Sequence, residues 1–294
     1  MHERHALTVE GHRLVYESWG QGDETFVFLH GVTSNIATWH RFVEPFAARG
    51  RVILLTLPGH SPAAFPPGYS QDQITAEAWG DLGGAALVQL LPDGGRATLI
   101  GHSTGGFWAL AIAWRAPEMV RRVVSIAGFA YGRWHGVLGL SQMLLVRTRM
   151  AYWPLFAASY RFLLAVPPLW GGGWRIYRPG LGAARDRVAI DQVVQDALPD
   201  YYAMNWHDIA RIFYAMRAQV DMRAHLGEIR VPVLAVTTDA DPIVPPYHAE
   251  TIAAGVPGAA LTVLPGGGGH MHLVEGQAEV QRAVFDWLDG AGQA

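Results

Sequence analysis

In the segment ALTVEGHRLVYESWG, from Ala6 to Gly20, apolar and polar residues alternate on either side of Gly11. A period of two marks strands with one buried face, and glycine at the reversal predicts a β-hairpin. The pattern then changes. Six later runs, TFVFLHG, RVILLTLPG, ATLIGHS, RRVVSIAG, VPVLAVTTD and ALTVLPG, are continuously rich in Val, Ile and Leu. Such runs suit parallel strands covered on both faces. Between them, helical patterns occupy 38–48, 72–91, 105–116, 247–254 and 277–288. A hairpin followed by repeated strand–helix units predicts an α/β fold, a doubly wound, mostly parallel sheet of about eight strands.

One interval breaks the rhythm. From 131 to 223 no strand pattern appears, and amphipathic helical stretches carry Trp134, Trp153, Trp170, Trp174 and Trp206. An excursion this long between consecutive strands predicts an inserted helical cap. The core domain is then 1–130 with 224–294, and the cap 131–223. Ligands of such sheets bind over the carboxyl ends of the strands, where a cap would lie. Within it, PPLWGGGW reads as a hinge or flexible edge governing access.

Composition narrows the chemistry. The chain has 294 residues, 50% of them hydrophobic, enough for one large core. A net charge of −3 offers no basic field to nucleic acid. There is no cysteine, and all 22 basic residues other than histidine are arginine. Thiol nucleophiles, zinc–thiolate sites, lysine Schiff bases and P-loop lysines are thereby excluded, and no cofactor is implied. The N-terminal MHERHALTVEGHRL lacks an apolar core, and Arg147, Arg149 and Arg161 interrupt the best long apolar window. Neither a signal peptide nor a membrane span is expected, which makes a cytoplasmic location the default.

The chemistry that remains open to the chain centres on ATLIGHSTGGFWAL, which contains G-x-S-x-G from Gly101 to Gly105. With 34 glycines in the chain the pattern alone is weak, and a turn serine is its bland reading. Its context is specific: a strand precedes Ser103 and a helix follows it, the setting of a nucleophile at a strained turn. Gly101 and Gly105 supply nearly side-chain-free neighbours. The helix start aims amides at the serine, so the backbone N–H of Thr104 can hold an oxyanion.

With FVFLHGVTSN, VILLTLPGHS, LIGHSTGG, DADPIVP and GGGGHMHLVE, the chain resembles the α/β-hydrolase-fold serine hydrolases, esterase- and lipase-like, over nearly its full length. That resemblance implies the order nucleophile, acid, histidine. It places the acid at Asp241, with Asp239 as rival, and the base at His270, with His272 as rival. It assigns the second oxyanion amide to Val32. A free serine hydroxyl is a poor nucleophile, so His270 would take its proton while Asp241 orients the ring. SIAGFAYG carries no carboxylate that could serve instead of Asp241. His270 and His272 form H-x-H, but no other ligands accompany them and no metal is expected. His102 should project away from the site, since neighbouring strand residues point oppositely. His30 and Asn35 should shape the oxyanion loop. Candidates for the pocket wall are His30, Trp134, Trp153 and His272.

Two features depart from the common pattern. In TLPGHSPAAFPPG, Thr56 stands where the family often has Asp and Ser61 where it has Gly, a change read as altered loop packing. Serine at the nucleophile position argues against the dehalogenases and epoxide hydrolases of this fold, which use a carboxylate there. No acidic residue lies between Glu118 and Asp186, while Arg133, Arg147, Arg149, Arg161, Arg175 and Arg178 do. In the plain reading the arginines face solvent around an apolar cap core. The sharper alternative is an apolar pocket whose arginines attract an anionic substrate or a lipid interface, with no stable insertion. The expected function is hydrolysis of a small to medium, largely apolar carboxylic ester. Lactonase, C–C bond (diketone) hydrolase and acyltransferase activities use the same triad, and a non-catalytic ligand-binding protein is the alternative of a different class. Oligomeric state is not legible.

Overall fold

The computed structural model describes residues 3–92, 94–166, 169, 175–181, 186–265 and 269–290. Eight strands form one sheet: β1 (Arg4–Val9), β2 (His12–Trp19), β3 (Thr25–Leu29), β4 (Arg51–Leu55), β5 (Ala97–His102), β6 (Val120–Ile126), β7 (Val233–Thr238) and β8 (Ala260–Leu264). Their spatial order is β1-β2-β4-β3-β5-β6-β7-β8. β1 and β2 enter antiparallel and β2 meets β4 antiparallel; every later pair is parallel. The α/β class and the strand number agree with the pattern of apolar runs.

The helices are α1 (Glu44–Ala47), α2 (Ala76–Leu90), α3 (Thr104–Arg115), α4 (Gly136–Arg147), α5 (Trp153–Ala165), α6 (Arg187–Tyr202), α7 (Trp206–Ala218), α8 (Tyr247–Gly255), α9 (His272–Glu275) and α10 (Gln277–Gly290). Of the helical patterns in the sequence, 38–48 differs most. The chain there makes a 3-10 turn, Ile36–Trp39, before the short α1. Asn35 caps that turn through a bond from the Ala37 amide, which starts helical structure earlier and in a tighter form.

Alternate residues of the parallel strands serve two cores. Val27, Leu29, Leu99 and Val123 join the core under α2 and α3. Phe26, Phe28, Ile100 and Val124 face the opposite core, with Trp39, Phe42, Phe46, Val280 and Val284. α3 is buried all along 104–113, so it is apolar on every side. Each Phe or Leu so enclosed contributes roughly 1.5–3 kcal/mol.

Between β6 and β7 the described residues contain α4, α5, α6 and α7 and no strand. α7 is the spine of this excursion. Phe213 meets Trp134 at 5.0 Å and Phe156 at 4.9 Å, and Trp206 stacks on Tyr160 at 4.7 Å. These side chains continue the core that lies under α2 and α3. The hinge expected at PPLWGGGW, with Trp170 and Trp174, falls almost wholly outside the described residues. Among the described residues, no helix is long and apolar enough to cross a membrane.

Candidate active site

Ser103 follows the last residue of β5 and precedes the first residue of α3, at φ 54° and ψ −116°. A serine rarely adopts positive φ, so surrounding contacts must hold it there. Its amide bonds to the Ile126 carbonyl on β6 at 2.8 Å. The glycines explain the rest. A Cβ on Gly101 would stand 2.1 Å from the Gly105 carbonyl oxygen, and one on Gly105 would stand 2.1 Å from that of Leu29. Helix start and strand end therefore approach to a distance only glycine allows.

Two loops deliver the partners. After β7, Asp241 turns back so that one carboxylate oxygen accepts the Ile243 and Val244 amides at 2.8 and 2.9 Å. Its other oxygen lies 2.7 Å from His270 Nδ1, and His270 Nε2 lies 3.1 Å from Ser103 Oγ. All three residues are buried, about 4% exposed each. Because the carboxylate can only accept, Nδ1 carries hydrogen and Nε2 is left as the acceptor facing the serine hydroxyl. Asp239 is exposed and makes no part of this chain. His272 turns to Glu279 at 2.7 Å.

The loop after β3 completes the floor. A Cβ on Gly31 would lie 3.3 Å from Ser103 Cβ, so Gly31 passes close against the serine, and Val32 follows it in the cavity lining. The Thr104 amide, at the first position of α3, has no carbonyl four residues back to bond within the helix. Asn35 ties this loop to the excursion by donating to the Ala197 carbonyl on α6 at 3.1 Å. Thr56 bonds both the amide and the carbonyl of Val15 at 2.9 Å, sealing the β2–β4 junction that a carboxylate could not close by donation.

The sequence-based expectation for His102 needs correction. This residue lies with Ser103 and His270 at the cavity lining, because the segment that bears His270 packs against it. The rings are 5.0 Å apart, and His102 Nε2 donates to the His270 carbonyl at 3.0 Å. Burial first, then the neighbouring His270, push its pKa down to about 3, so it is neutral. Burial also takes His60 to about 4 and His30 well below its ordinary range.

Above Ser103 opens a cavity of about 550 Å³, walled by Leu138, Leu163, Val193, Val194, Trp206 and Met271 among others. The four pocket candidates stand elsewhere. His30 lies beneath the loop, held by the Leu57 amide and the Gly31 carbonyl. Trp134 is enclosed by Phe129 and Phe213, Trp153 lies against His207, and His272 faces Gly276. The cavity wall also contains no arginine among the described residues: Arg133, Arg147, Arg149, Arg161 and Arg175 are exposed. Arg178 is buried and pairs with the buried Glu275. Among the described residues the arginines therefore stand outside the cavity and not in its wall.

The sequence also gave no hint of the polar side chains that do reach the wall. Tyr160 and Tyr177 bring their hydroxyls to Thr33, and Tyr201 brings its own to Ser34. Burial raises all three phenols above their usual range, so they are neutral donors. Only their aromatic character in an apolar stretch was visible. Among the described residues no group of His, Asp and Glu is arranged to hold a metal ion.

A family-wide sequence profile described as "Alpha/beta hydrolase family" matches residues 26–283. The chain belongs to the alpha/beta hydrolase family. Within it, a 2-hydroxy-6-oxononadienedioate/2-hydroxy-6-oxononatrienedioate hydrolase of Burkholderia vietnamiensis is 36% identical over 122 residues, covering 40% of each chain. A pimeloyl-[acyl-carrier protein] methyl ester esterase of Aeromonas hydrophila is 33% identical over 139 residues, 44% of this chain and 50% of its own. The fold matches the enol-lactonase of Burkholderia xenovorans LB400 with a TM-score of 0.71 at 21% identity, over 97% of this chain and 100% of the other. A thermophilic esterase of Thermogutta terrifontis gives 0.71 at 21% identity over 98% of both. By their names, the two relatives are a hydrolase and an esterase, and the two structural neighbours a lactonase and an esterase.

Proposed function

We propose that the protein is a serine hydrolase that cleaves carboxylic esters of small to medium, largely apolar substrates through an acyl-enzyme on Ser103. The observation that supports this most is the buried chain from Ser103 Oγ to His270 to Asp241 at the floor of an apolar cavity. In this reading 131–223 is a cap over a core of 1–130 and 224–294, and Val32 and Thr104 supply the oxyanion amides.

The steps follow from the geometry. Ser103 Oγ attacks the ester carbonyl as its proton passes to His270 Nε2. Asp241 accepts from Nδ1–H and steadies the imidazolium; the two amides hold the oxyanion. The proton returns to the leaving alkoxide and the alcohol departs. Water then attacks the acyl-enzyme, gives its proton to His270, and releases the acid as Ser103 regains its proton. The Arg178–Glu275 pair assists by holding the cap segment against the loop that carries His270: a Cβ on Gly269 would lie 2.3 Å from the Tyr177 carbonyl oxygen.

The same atoms accept a lactone, whose alcohol stays attached, and the related C–C and acyl-transfer reactions differ in what the pocket admits. A panel of p-nitrophenyl esters of increasing chain length, run beside lactones and a diketone, tests the reading. Ester turnover that peaks at medium chains is expected. Inert esters with turnover of a lactone or diketone overturn it, and a folded protein inert to all of them is a binding protein.

A further inference from the structure

In a surface helix of a water-exposed protein the outward arc is polar and the inward arc apolar. Two helices at the mouth of the cavity are apolar on the outward arc as well as the inward one. On α5 the exposed positions 155, 158, 162 and 165 are Leu, Ala, Phe and Ala, with spacing that places them on one stripe. On α4 the positions 137, 140, 144 and 147 repeat the spacing with Val, Leu, Leu and Arg, and only Leu144 is half-buried. Exposure is large: 48% for Val137, 51% for Leu140, 63% for Leu155 and 64% for Phe162. Val137 and Phe162 also line the cavity, so both stripes meet at its rim.

The charges carried by these two helices and the turn between them have one sign. Arg147, Arg149 and Arg161 are exposed and enter no ion pair among the described residues, and no carboxylate occurs between Glu118 and Asp186. α7, on which both helices pack, contributes Asp208, which is buried and paired with Arg211. A second copy laid face to face would set the arginines of α4 and α5 against one another, with no carboxylate on either helix to neutralise them. An apolar stripe flanked by cations matches the interface of an anionic amphiphile, where apolar side chains enter the acyl boundary and arginines meet the headgroups.

We propose that the outer faces of α4 and α5 dock on an anionic lipid surface, from which substrate enters the cavity between Val137 and Phe162. The protein lies on that surface and does not span it. This rests on the reading of the cavity as the substrate site, but the docking itself does not require turnover.

Co-sedimentation of the whole protein with phosphatidylglycerol-containing vesicles, beside pure phosphatidylcholine vesicles, tests it. The bound fraction should be roughly tenfold higher on the anionic vesicles and fall with added salt. L140E/L155E should lose binding to both, and R147E/R161E should lose the preference for anionic lipid. Neither pair touches the cavity wall, so hydrolysis of soluble p-nitrophenyl acetate should continue in both. Equal sedimentation with and without anionic vesicles overturns the proposal. So does a dimer in solution that L140E/L155E converts to monomer, because the stripes would then cover each other. Vesicle binding without ester turnover would refute the proposed hydrolase activity and leave the docking intact.

Discussion

The floor and the walls of the cavity are built on different principles. The floor comes from strand ends of a sheet buried on both faces, where backbone geometry decides everything: Ser103 at positive φ, Gly101 and Gly105 at contact distance, Asp241 fixed by two amides. The walls come from helices between β6 and β7, where side chains decide, and their outward positions carry unusual apolar exposure. A strained floor tolerates almost no change of residue. Helical walls can be rewritten while the helices persist. Reaction type should therefore belong to the floor, and choice of substrate and surface to the walls.

The largest test of this contrast is chemical. Ser103→Ala should lower ester turnover by about 10^4-fold or more with the fold retained, measured as kcat on a p-nitrophenyl ester. His270→Ala should match it, and the double variant should fall little further, since the three residues act as a unit. Asp241→Asn should cost roughly 10^3- to 10^4-fold. His272→Ala should keep most activity; the reverse pattern would move the base to His272.

Next comes stability. Gly105→Ala forces a Cβ against the Leu29 carbonyl and should cost more than about 3 kcal/mol, read by chemical denaturation. Substitution of an exposed wall residue such as Leu155→Ala should change stability by about 0.5 kcal/mol or less. Comparable costs would erase the distinction.

Acid should also act on the floor first. His30, His60 and His102 lie beneath it with pKa values depressed from 6.5, to about 4 for His60 and about 3 for His102. His248, to one side of the site, is likewise at about 4 through burial. Below pH 6.5 the unfolded chain binds protons that the folded chain refuses, so their stabilisation is whole above that pH and is lost as pH falls toward 4. Thermal midpoints should drop steeply across that window, and His60→Asn should remove about one proton from the slope. A flat profile would contradict neutral burial.

The smallest effect belongs to the wall. Leu163→Trp narrows the cavity and should shift the preferred acyl chain toward shorter esters by roughly tenfold in relative kcat/KM, with acetate turnover little changed. Loss of all turnover would mean that the wall takes part in the floor's chemistry.

The same contrast explains what could be read from the amino-acid order. The strands and the meeting of Ser103, Asp241 and His270 were legible because steric limits tie these residues to short local patterns: glycine spacing at one turn and a loop after each late strand. The choice of Asp241 over Asp239 rests on the family resemblance, and it is the Asp241 carboxylate that the loop turns inward. The walls were not legible. Tyr160, Tyr177 and Tyr201 reach Thr33 and Ser34 across more than a hundred residues, and only the packing of α5 and α6 shows it. Trp134 and Trp153 looked like pocket aromatics, yet the excursion needed them for its own packing. His102 was misplaced because a distant segment, the one that bears His270, packs against it.

Labelling with a fluorophosphonate, located by peptide mass spectrometry, tests the central claim most directly. The account predicts one modified residue, Ser103, with labelling abolished in Ser103→Ala and strongly slowed in His270→Ala. Folded protein that remains unlabelled, or that is labelled at another serine, would contradict it.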